Sequence, residues 1–455
     1  MKYLIYNNSP IWVQNFLCTI KGFQERRLRF GKVFDQKLES LLQSEWYSEQ
    51  EITEYKNKEI SELVHLAYNI EYYHELFKSN KLSPSDILCE EDLYKIPILT
   101  KEDVRSNYKK LLNINYHKQI KIQHTSGSTG KSLTFNMSED AINFRWAIWF
   151  RHRSRFGIKL NDKYATFTGL PVVPLTQSKP PYYRVNIPMN QTIFTMHHMS
   201  KDKVPSIVEK LNGEDFIYYS GYPSIIYNLA ILIEELNLQI TNPPQVIFTG
   251  AENLYENQRI KIAQIFKCIV TDQYGFSEGA GNASRCEHDL FHEDFEFGVL
   301  QCDQTNHNFE SSFSGEIIAT GFANLAMPFI RYKVGDTATW TNNNDCKCGR
   351  VSKTLSSING RNEDYVLTPE GNKILRFDYI FKDMPNIKEA QIIQYNLNEI
   401  VIRISKRDKY NLSDEKKLIE EVHHKISPNL LVKFEYVDEI EKTVTGKFRA
   451  VISKL

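Results

Sequence analysis

The stretch HTSGSTGKS, His124 to Ser132, sets small and hydroxylated residues around two glycines, Gly127 and Gly130, and closes on a lysine. Such a loop is built to wrap phosphate. Glycines let backbone N–H groups converge on an anion, the hydroxyls of Ser126, Ser128 and Thr129 add donors, and Lys131 adds charge. It is not a Walker A loop, because that pattern needs glycine at position 125, where this chain has Thr125. Standing alone, a Gly/Ser/Thr loop is more often a flexible turn, so its meaning depends on what flanks it.

Between Gln123 and Thr249, short apolar runs (Tyr164 to Phe167, Phe216 to Tyr219, Val246 to Phe248) alternate with helical stretches such as Val204, Ile207, Val208 and Leu211. That alternation predicts an α/β fold. The proline-rich PVVPLTQSKPPYYR, Pro171 to Arg184, predicts an irregular loop near a pocket or surface. Upstream, the spacing of KGFQERRLRFGKVFDQKLESLLQSEW predicts a helical preface, and helical periodicity continues from Ser61 to Leu112, with Thr100 placed to cap a helix. After Gly360 a small α+β unit is predicted: strand Ala390 to Tyr395, turn Asn396 to Asn398, strand Ile400 to Ile404, helix Ser413 to Ile426 and strand Leu431 to Val437. We expect a large N-terminal α/β domain, residues 1–360, and a small mobile C-terminal domain, residues 361–455, with the linker at Asn359 to Glu363.

Composition agrees with such a chain: 455 residues, 41% hydrophobic and 25% charged, exceed what one hydrophobic core usually organises. Lys plus Arg equals Asp plus Glu at 56 each, which removes a global electrostatic reason for nucleic acid or anionic membrane as partner. One local basic patch, Arg145, Arg151, His152, Arg153 and Arg155, reads as a solvated helix face or as an anionic-ligand wall. No stretch approaches the roughly 20 apolar residues of a membrane span. MKYLIYNNSP lacks the apolar core of a signal peptide. Seven cysteines, an odd number, argue against a disulfide framework and for the reducing cytoplasm; Cys18, Cys89, Cys268 and Cys302 sit singly and read as plain buried thiols.

TSGSTGK resembles the phosphate-binding signature of the adenylate-forming superfamily (acyl-CoA synthetases, peptide-synthetase adenylation domains and luciferases), and further segments match that family in order. TGAE, Thr249 to Glu252, resembles the adenine-side strand end, with Gly250, Ala251 and Glu252 at the nucleotide. QYGFSEG, Gln273 to Gly279, resembles the segment that implies Tyr274 against adenine, Gln273 and Gly275 beside it, Ser277 near phosphate and Glu278 on magnesium. SGEIIATGFANLAMPFIRYKVGD, Ser314 to Asp336, implies Asp336 as acceptor of the ribose hydroxyls. NGRNEDYV, Asn359 to Val366, resembles the hinge; Arg361 would reach ribose or phosphate, and Glu363 stands where the family usually has Asp. KTVTGKFR, Lys442 to Arg449, resembles the closing motif and implies Lys447 as the mobile catalytic lysine, with Thr125, Lys131 and Glu278 completing the catalytic set. The resemblance runs from Gln123 to Arg449 and is nearest to phenylacetate-CoA ligases and relatives associated with capsular polysaccharide biosynthesis, on GYPS at Gly221 to Ser224, the short HTSGSTG loop and the cysteine pattern.

That pattern is Cys286-x5-His292 directly after QYGFSEG and Cys346-x-Cys348 between Asp336 and the hinge. Three Cys and one His make a tetrahedral Zn²⁺ set, with ordinary thiols as the plain alternative and His288 as competing ligand. With four protein ligands its role would be structural. His197 and His198 read either as surface residues or as one pocket residue.

The resemblance implies activation of a small carboxylic acid by ATP as acyl-AMP, then acyl transfer, most often to CoA. A rival acceptor is the amine of an amino sugar, and a rival of another class is a catalytically silent scaffold. The acid pocket is expected along Tyr164 to Leu170, Ser220 to Ser224 and around Phe276, and the assembly is expected to be a monomer or homodimer.

Overall fold

The computed structural model describes residues 2–125, 133–252, 254, 256–302, 312–341, 346–359, 366–374, 378–381, 384, 386–438, 440–441 and 451–455. Its helical preface comprises α1 (Lys2–Asn7), α2 (Ile11–Arg29), α3 (Lys32–Ser44), α4 (Glu49–Ala67), α5 (Glu71–Ser79) and α6 (Lys101–Ser106). Thr100 caps α6 as expected, in a capping box with Asp103, and Ser48 with Glu51 starts α4 the same way. The expected helix from Lys21 onward breaks at Phe30–Gly31. The Gly31 N–H donates to Asn143 Oδ1 at 3.0 Å, and a Cβ at Gly31 would come within 2.9 Å of that same oxygen.

A hairpin of β1 (Ile120–His124) and β2 (Thr134–Ser138) leads into α7 (Glu139–Ser154). The main sheet then collects β3 (Tyr164–Thr168), β4 (Tyr183–Asn186), β5 (Gln191–Thr195), β6 (Tyr218–Gly221), β7 (Val246–Gly250), β8 (Ile269–Gly275), β9 (Asn282–Arg285), β10 (Phe291–Glu293), β11 (Gly298–Cys302), β12 (Ser312–Gly321), β13 (Tyr332–Thr341) and β14 (Thr354–Asn359). Among the described residues these form one 12-stranded sheet in the order β11-β12-β13-β14-β10-β9-β8-β7-β6-β3-β5-β4. Its middle, β5-β3-β6-β7-β8, is parallel, and the pairs toward both edges are antiparallel. Parallel strands are covered on both faces and read as apolar runs; β7, VIFTG, is buried along its first four residues. The helices α8 (Val204–Asn212), α9 (Pro223–Glu235) and α10 (Glu256–Phe266) cover one face, burying Ile207, Leu211, Ile226, Leu229 and Ile262 against Phe167, Tyr219 and Ile247, while on the other Tyr218, Val246 and Phe248 pack against Phe156 and Ile158 just beyond α7. The proline-rich stretch is irregular as expected until its end, where Tyr183 and Arg184 open β4 and the side chain of Arg184 is bound by Gln14 and Gln177.

Beyond residue 366 a short pair, β15 (Val366–Leu367) and β16 (Lys373–Ile374), and α11 (Asp378–Phe381) precede a second sheet. Its strands β17 (Ile387–Asn396), β18 (Glu399–Lys406), β19 (Leu431–Tyr436) and β20 (Val451–Ser453) lie in the order β19-β18-β17-β20, with α12 (Leu412–Lys425) packed on them. Ile392, Ile402, Leu418 and Val422 form a core of their own there. The expected elements are present and the first two strands are longer than the apolar runs alone predict, because strand pairing carries on through polar ends such as Lys406. The division expected near residue 360 falls in 360–365, outside the described residues.

The basic patch on α7 is neither of the things its sequence suggests at four of its five positions. Arg151 pairs with Asp294 at 2.6 Å and Glu296 at 2.5 Å, and Arg155 pairs with Glu45 at 2.6 Å, every partner side chain at most 5% exposed. His152 donates to the Arg285 carbonyl at 3.0 Å, and Arg153 lies over the rings of Phe150, Tyr218 and Phe248. One helical turn separates 151 from 155, so both guanidiniums face inward, where acids from distant segments meet them. Among the described residues no helix is long and apolar enough to cross a membrane.

Removing one side of a buried ion pair strands the other. Arg151→Ala is therefore expected to destabilise the protein by about 3 kcal/mol, measured by urea denaturation.

Candidate functional site

Register places the expected segments side by side. Phe167 pairs with Gly221, Gly221 with Thr249, and Thr249 with Asp272, so the carboxyl ends of β3, β6, β7 and β8 form one edge. Ligand crevices in open α/β sheets lie outside such ends. From this edge issue the Thr168–Leu170 turn, the GYPS segment, Gly250–Glu252 and Gln273–Gly279. The two segments expected to line an acid pocket are thus hydrogen-bonded neighbours. Their approach requires glycine at 221, since a Cβ there would sit 2.4 Å from the Phe167 carbonyl oxygen and 2.8 Å from its Cβ.

The phosphate-type loop springs from the β1–β2 hairpin, whose stem closes at Thr125. The Thr125 N–H donates to the Leu133 carbonyl at 2.8 Å, and the Leu133 N–H donates to Thr125 Oγ1 at 2.9 Å. Ser126, Gly127, Ser128, Thr129, Gly130 and Lys131 lie outside the described residues, as do Arg361, Glu363 and Lys447.

The expected residues Ala251, Glu252, Gln273, Tyr274, Gly275, Ser277 and Glu278 follow from the ends of β7 and β8, and Asp336 reaches them from β13. Ser224 Oγ donates to Glu252 Oε2 at 2.6 Å, setting a carboxylate at the start of α9, where the helix dipole favours negative charge. Ala251, in the bend between Gly250 and Glu252, has φ +66°. Gln273 Nε2 donates to Ser284 Oγ at 2.9 Å, and Gly275 ends β8 where a Cβ would press Asn282 Oδ1 at 2.6 Å. The Tyr274 hydroxyl donates to Asp336 Oδ2 at 3.0 Å across the site. Ser277 is exposed, and its carbonyl accepts from Arg145 Nη1 at 3.3 Å. Glu278 is 4% exposed, and its carboxylate accepts from the Tyr332 hydroxyl at 2.6 Å.

Sequence reading assigns Tyr332 no role, although it lies in the quoted stretch before Asp336. Only the fold brings its hydroxyl to Glu278. The last residue of β14, Asn359, pairs with Thr337, so that strand ends beside Asp336.

The second assembly lies where β9, β10 and β14 meet. Ligating atoms of Cys286, His292, Cys346 and Cys348 all lie within 4.8 Å of one another. Cys286 Sγ is 3.6 Å from Cys346 Sγ, and Cys348 Sγ is 3.3 Å from His292 Nε2. Two turns with left-handed residues, Asp289 (φ +65°) and Gly349 (φ +81°), bend the chain to present them. His292 is the histidine of this cluster; His288 has an exposed side chain and donates only its backbone N–H to Cys286 Sγ, at 3.3 Å. Burial pushes the Cys346 thiol up to about 12 and holds His292 down at about 4. Soft, close-set, desolvated donors of this kind fit a tetrahedral dication that supplies the missing positive charge. Two residues beyond Cys348, Arg350 binds Glu45 and Glu287 and so ties the cluster to the preface.

His197 and His198 are not surface residues: they are 6% and 0% exposed. His197 Nε2 donates to the Gly169 carbonyl at 3.2 Å, just beyond β3, and His198 stacks on Tyr182 with ring centroids 5.3 Å apart. Burial lowers their pKa values to about 4 and about 3, so both are neutral at neutral pH.

The glycine at 221 yields a direct check. Gly221→Ala must pry β6 from β3 and is expected to cost about 1–3 kcal/mol of unfolding free energy by chemical denaturation.

Comparison with known proteins follows the same lines. Residues 366–454 match the family model described as the CapK C-terminal domain. Protein CapK of Staphylococcus aureus is 28% identical over 99% of this chain and 99% of its own length. The phenylacetate-coenzyme A ligase of Pseudomonas putida is 25% identical over 67% of this chain and 69% of its own length. Among solved structures, 2-hydroxyisobutyryl-CoA ligase in complex with 2-HIB-AMP and CoA superimposes with a TM-score of 0.57 at 16% identity, covering 90% of this chain and 91% of that one, a likeness of fold.

Proposed function

We propose that this chain, which belongs to the adenylate-forming superfamily in its phenylacetate-CoA-ligase-like branch, activates a carboxylic acid with ATP as acyl-AMP and then passes the acyl group to an acceptor, most readily CoA. The observation that carries this reading is the pair of contacts at the sheet edge, Tyr274 to Asp336 and Tyr332 to Glu278. They hold two carboxylates in place, one for ribose hydroxyls and one for magnesium, before any ligand arrives.

Each residue then has a task. The loop Ser126 to Lys131, rooted at Thr125, wraps the phosphates with backbone N–H groups, hydroxyls and one ammonium. Gly250, Ala251, Glu252, Gln273 and Gly275 form the floor and wall for the adenine beside Tyr274. Asp336 accepts from the ribose, and Arg361 reaches ribose or phosphate. Glu278 would hold Mg²⁺, which when bound neutralises phosphate charge. As the acid oxygen bonds to the α-phosphorus and the bond to pyrophosphate breaks, the carboxylate's charge passes to the phosphoryl oxygens and the departing pyrophosphate, and Lys447, carried by the small C-terminal domain, stabilises it there. Cys286, His292, Cys346 and Cys348 would hold a structural Zn²⁺ that clips the β9–β10 turn to the Cys346–Gly349 turn.

A second acceptor reading has its own support. The likeness to phenylacetate-coenzyme A ligase spans 67% of the chain, that to CapK 99%, and residues 366–454 match the CapK domain. Acceptor capture can therefore differ while adenylation is shared, and an amino-sugar amine is the alternative to CoA. The reaction uses soluble small molecules throughout, in keeping with a cytoplasmic enzyme.

Acid-dependent pyrophosphate release across a panel of acids tests the first step, and adding CoA or amino-sugar nucleotides separates the acceptors. Lys447→Ala is expected to lower adenylation by at least about 100-fold while ATP binding persists; equal loss of both would remove the proposed role. Elemental analysis should find about one zinc per chain, and Cys346→Ser should lose the metal and melt several degrees lower. Metal-free protein of unchanged stability would exclude the clip.

A further inference from the structure

Helix α2 is built inside out. Projected at about 100° per residue, Trp12, Phe16, Ile20 and Phe23 fall within an arc of about 80°. That arc points away from the protein: the four residues are 72%, 58%, 40% and 60% exposed. The opposite side of the helix carries its polar residues and meets β4, the edge strand of the main sheet. Gln14 is buried there, its Oε1 accepting from Arg184 Nε at 2.8 Å and its Nε2 donating to the Ser9 carbonyl at 2.8 Å. Asn15 Oδ1 accepts from the Val185 N–H of β4 at 3.0 Å. Gly22 lies so close to Asn186 that a Cβ would collide with its Oδ1.

A surface helix ordinarily buries its apolar stripe and offers its polar one to water. Here hydrogen bonds from the polar side hold α2 on the sheet edge, and the apolar side is left outside as a row of aromatic and aliphatic groups, the kind of patch that marks an interaction surface.

Charge says what covers it. Residues 1–29 contain five Lys or Arg and one acid, although the whole chain balances at 56 of each sign. The acid, Glu25, is held by Lys21 at 2.9 Å and Arg29 at 2.5 Å. Lys21, at the rim of the stripe, keeps a largely exposed side chain. Arg27 continues the stripe one turn beyond Phe23 and is exposed, as is Lys32 at the start of α3. Indole and phenyl rings on one side with cations at the rim suit a helix lying in the headgroup layer of an anionic bilayer, where the rings enter the acyl boundary and the cations stay with the phosphates. A second copy of the chain fits less well, because a stripe about 17 Å long falls short of the roughly 800 Å² per partner of a stable protein interface.

We infer that the outer face of α2 docks the protein on an anionic lipid surface, with Trp12, Phe16, Ile20 and Phe23 in the bilayer interface and Lys21 and Arg27 on the headgroup phosphates. The helix lies on the membrane and does not cross it. The inference is independent of the adenylating role, since none of the residues assigned to the nucleotide lies on α2.

The experiment sediments the intact protein with vesicles of phosphatidylglycerol and phosphatidylcholine in equal parts, and with vesicles of phosphatidylcholine alone. Binding is expected to the anionic set, at least about tenfold weaker to the neutral set, and falling as salt is raised. The double variant Trp12→Gln, Phe16→Gln should bind anionic vesicles at least about tenfold more weakly with its far-UV circular dichroism and melting temperature unchanged. Arg27→Glu should weaken binding to the anionic set alone. Tryptophan emission should shift to the blue when anionic vesicles are added to the native chain, and the shift should be lost in Trp12→Phe, which still binds; this variant decides the matter if the double variant does not fold.

No binding to either vesicle set would overturn the inference. So would undiminished binding by a folded double variant, which would place the contact elsewhere on the protein. A native chain that is dimeric without lipid and becomes monomeric on replacement of Trp12 and Phe16 would overturn it as well, and would assign the face to a second copy.

Discussion

The in-register pairing of β3, β6, β7 and β8 is the constraint from which the site follows. Four strands ending at one edge put four loops at one crevice, and each loop carries polar residues that the strands themselves could not bury. Gly221 is where this is most exacting, because its neighbour Phe167 leaves no space for a side chain. Apolar cover from α8, α9 and α10 then holds the register, since a slip by one residue would turn Phe167 and Ile247 out of their core.

Charge placement is the second organising theme. Nearly every ionic group taken out of water at the centre of the molecule has a partner from a distant part of the chain: Arg151 with Asp294 and Glu296, Arg155 and Arg350 with Glu45. Such pairs join the preface, α7 and the Cys/His cluster into one support. Buried pairs contribute little net stability compared with apolar packing, but they tolerate only one arrangement. They act here as registers between segments.

Much was legible in the chain alone. The α/β class follows from alternating periodicities, and the helical preface, the Thr100 cap and the small C-terminal unit follow from local rules of capping, turn chemistry and apolar spacing. Motif resemblance proposed Tyr274, Glu278, Asp336 and the Cys/His set, and the fold brings Tyr274 to Asp336 and gathers the four ligands. Polar residues read by composition kept alternatives that the chain alone does not resolve. The basic patch could be a solvated face or an anionic-ligand wall, and His197 and His198 surface or pocket residues, because burial of a polar side chain depends on a partner that sequence spacing does not reveal.

Sequence by itself therefore determined the elements and the chemical inventory of the site, since helix caps, strand periodicity and loop composition act over a few residues. Tertiary structure alone decided which of those groups meet. Tyr332 reaches Glu278 across 54 positions, and His292 rather than His288 joins cysteines 54 and 56 positions away. The physical reason is that a side chain's charge state and role are set by the atoms within a few ångströms of it, and in a mixed sheet those atoms come from strands far apart along the chain.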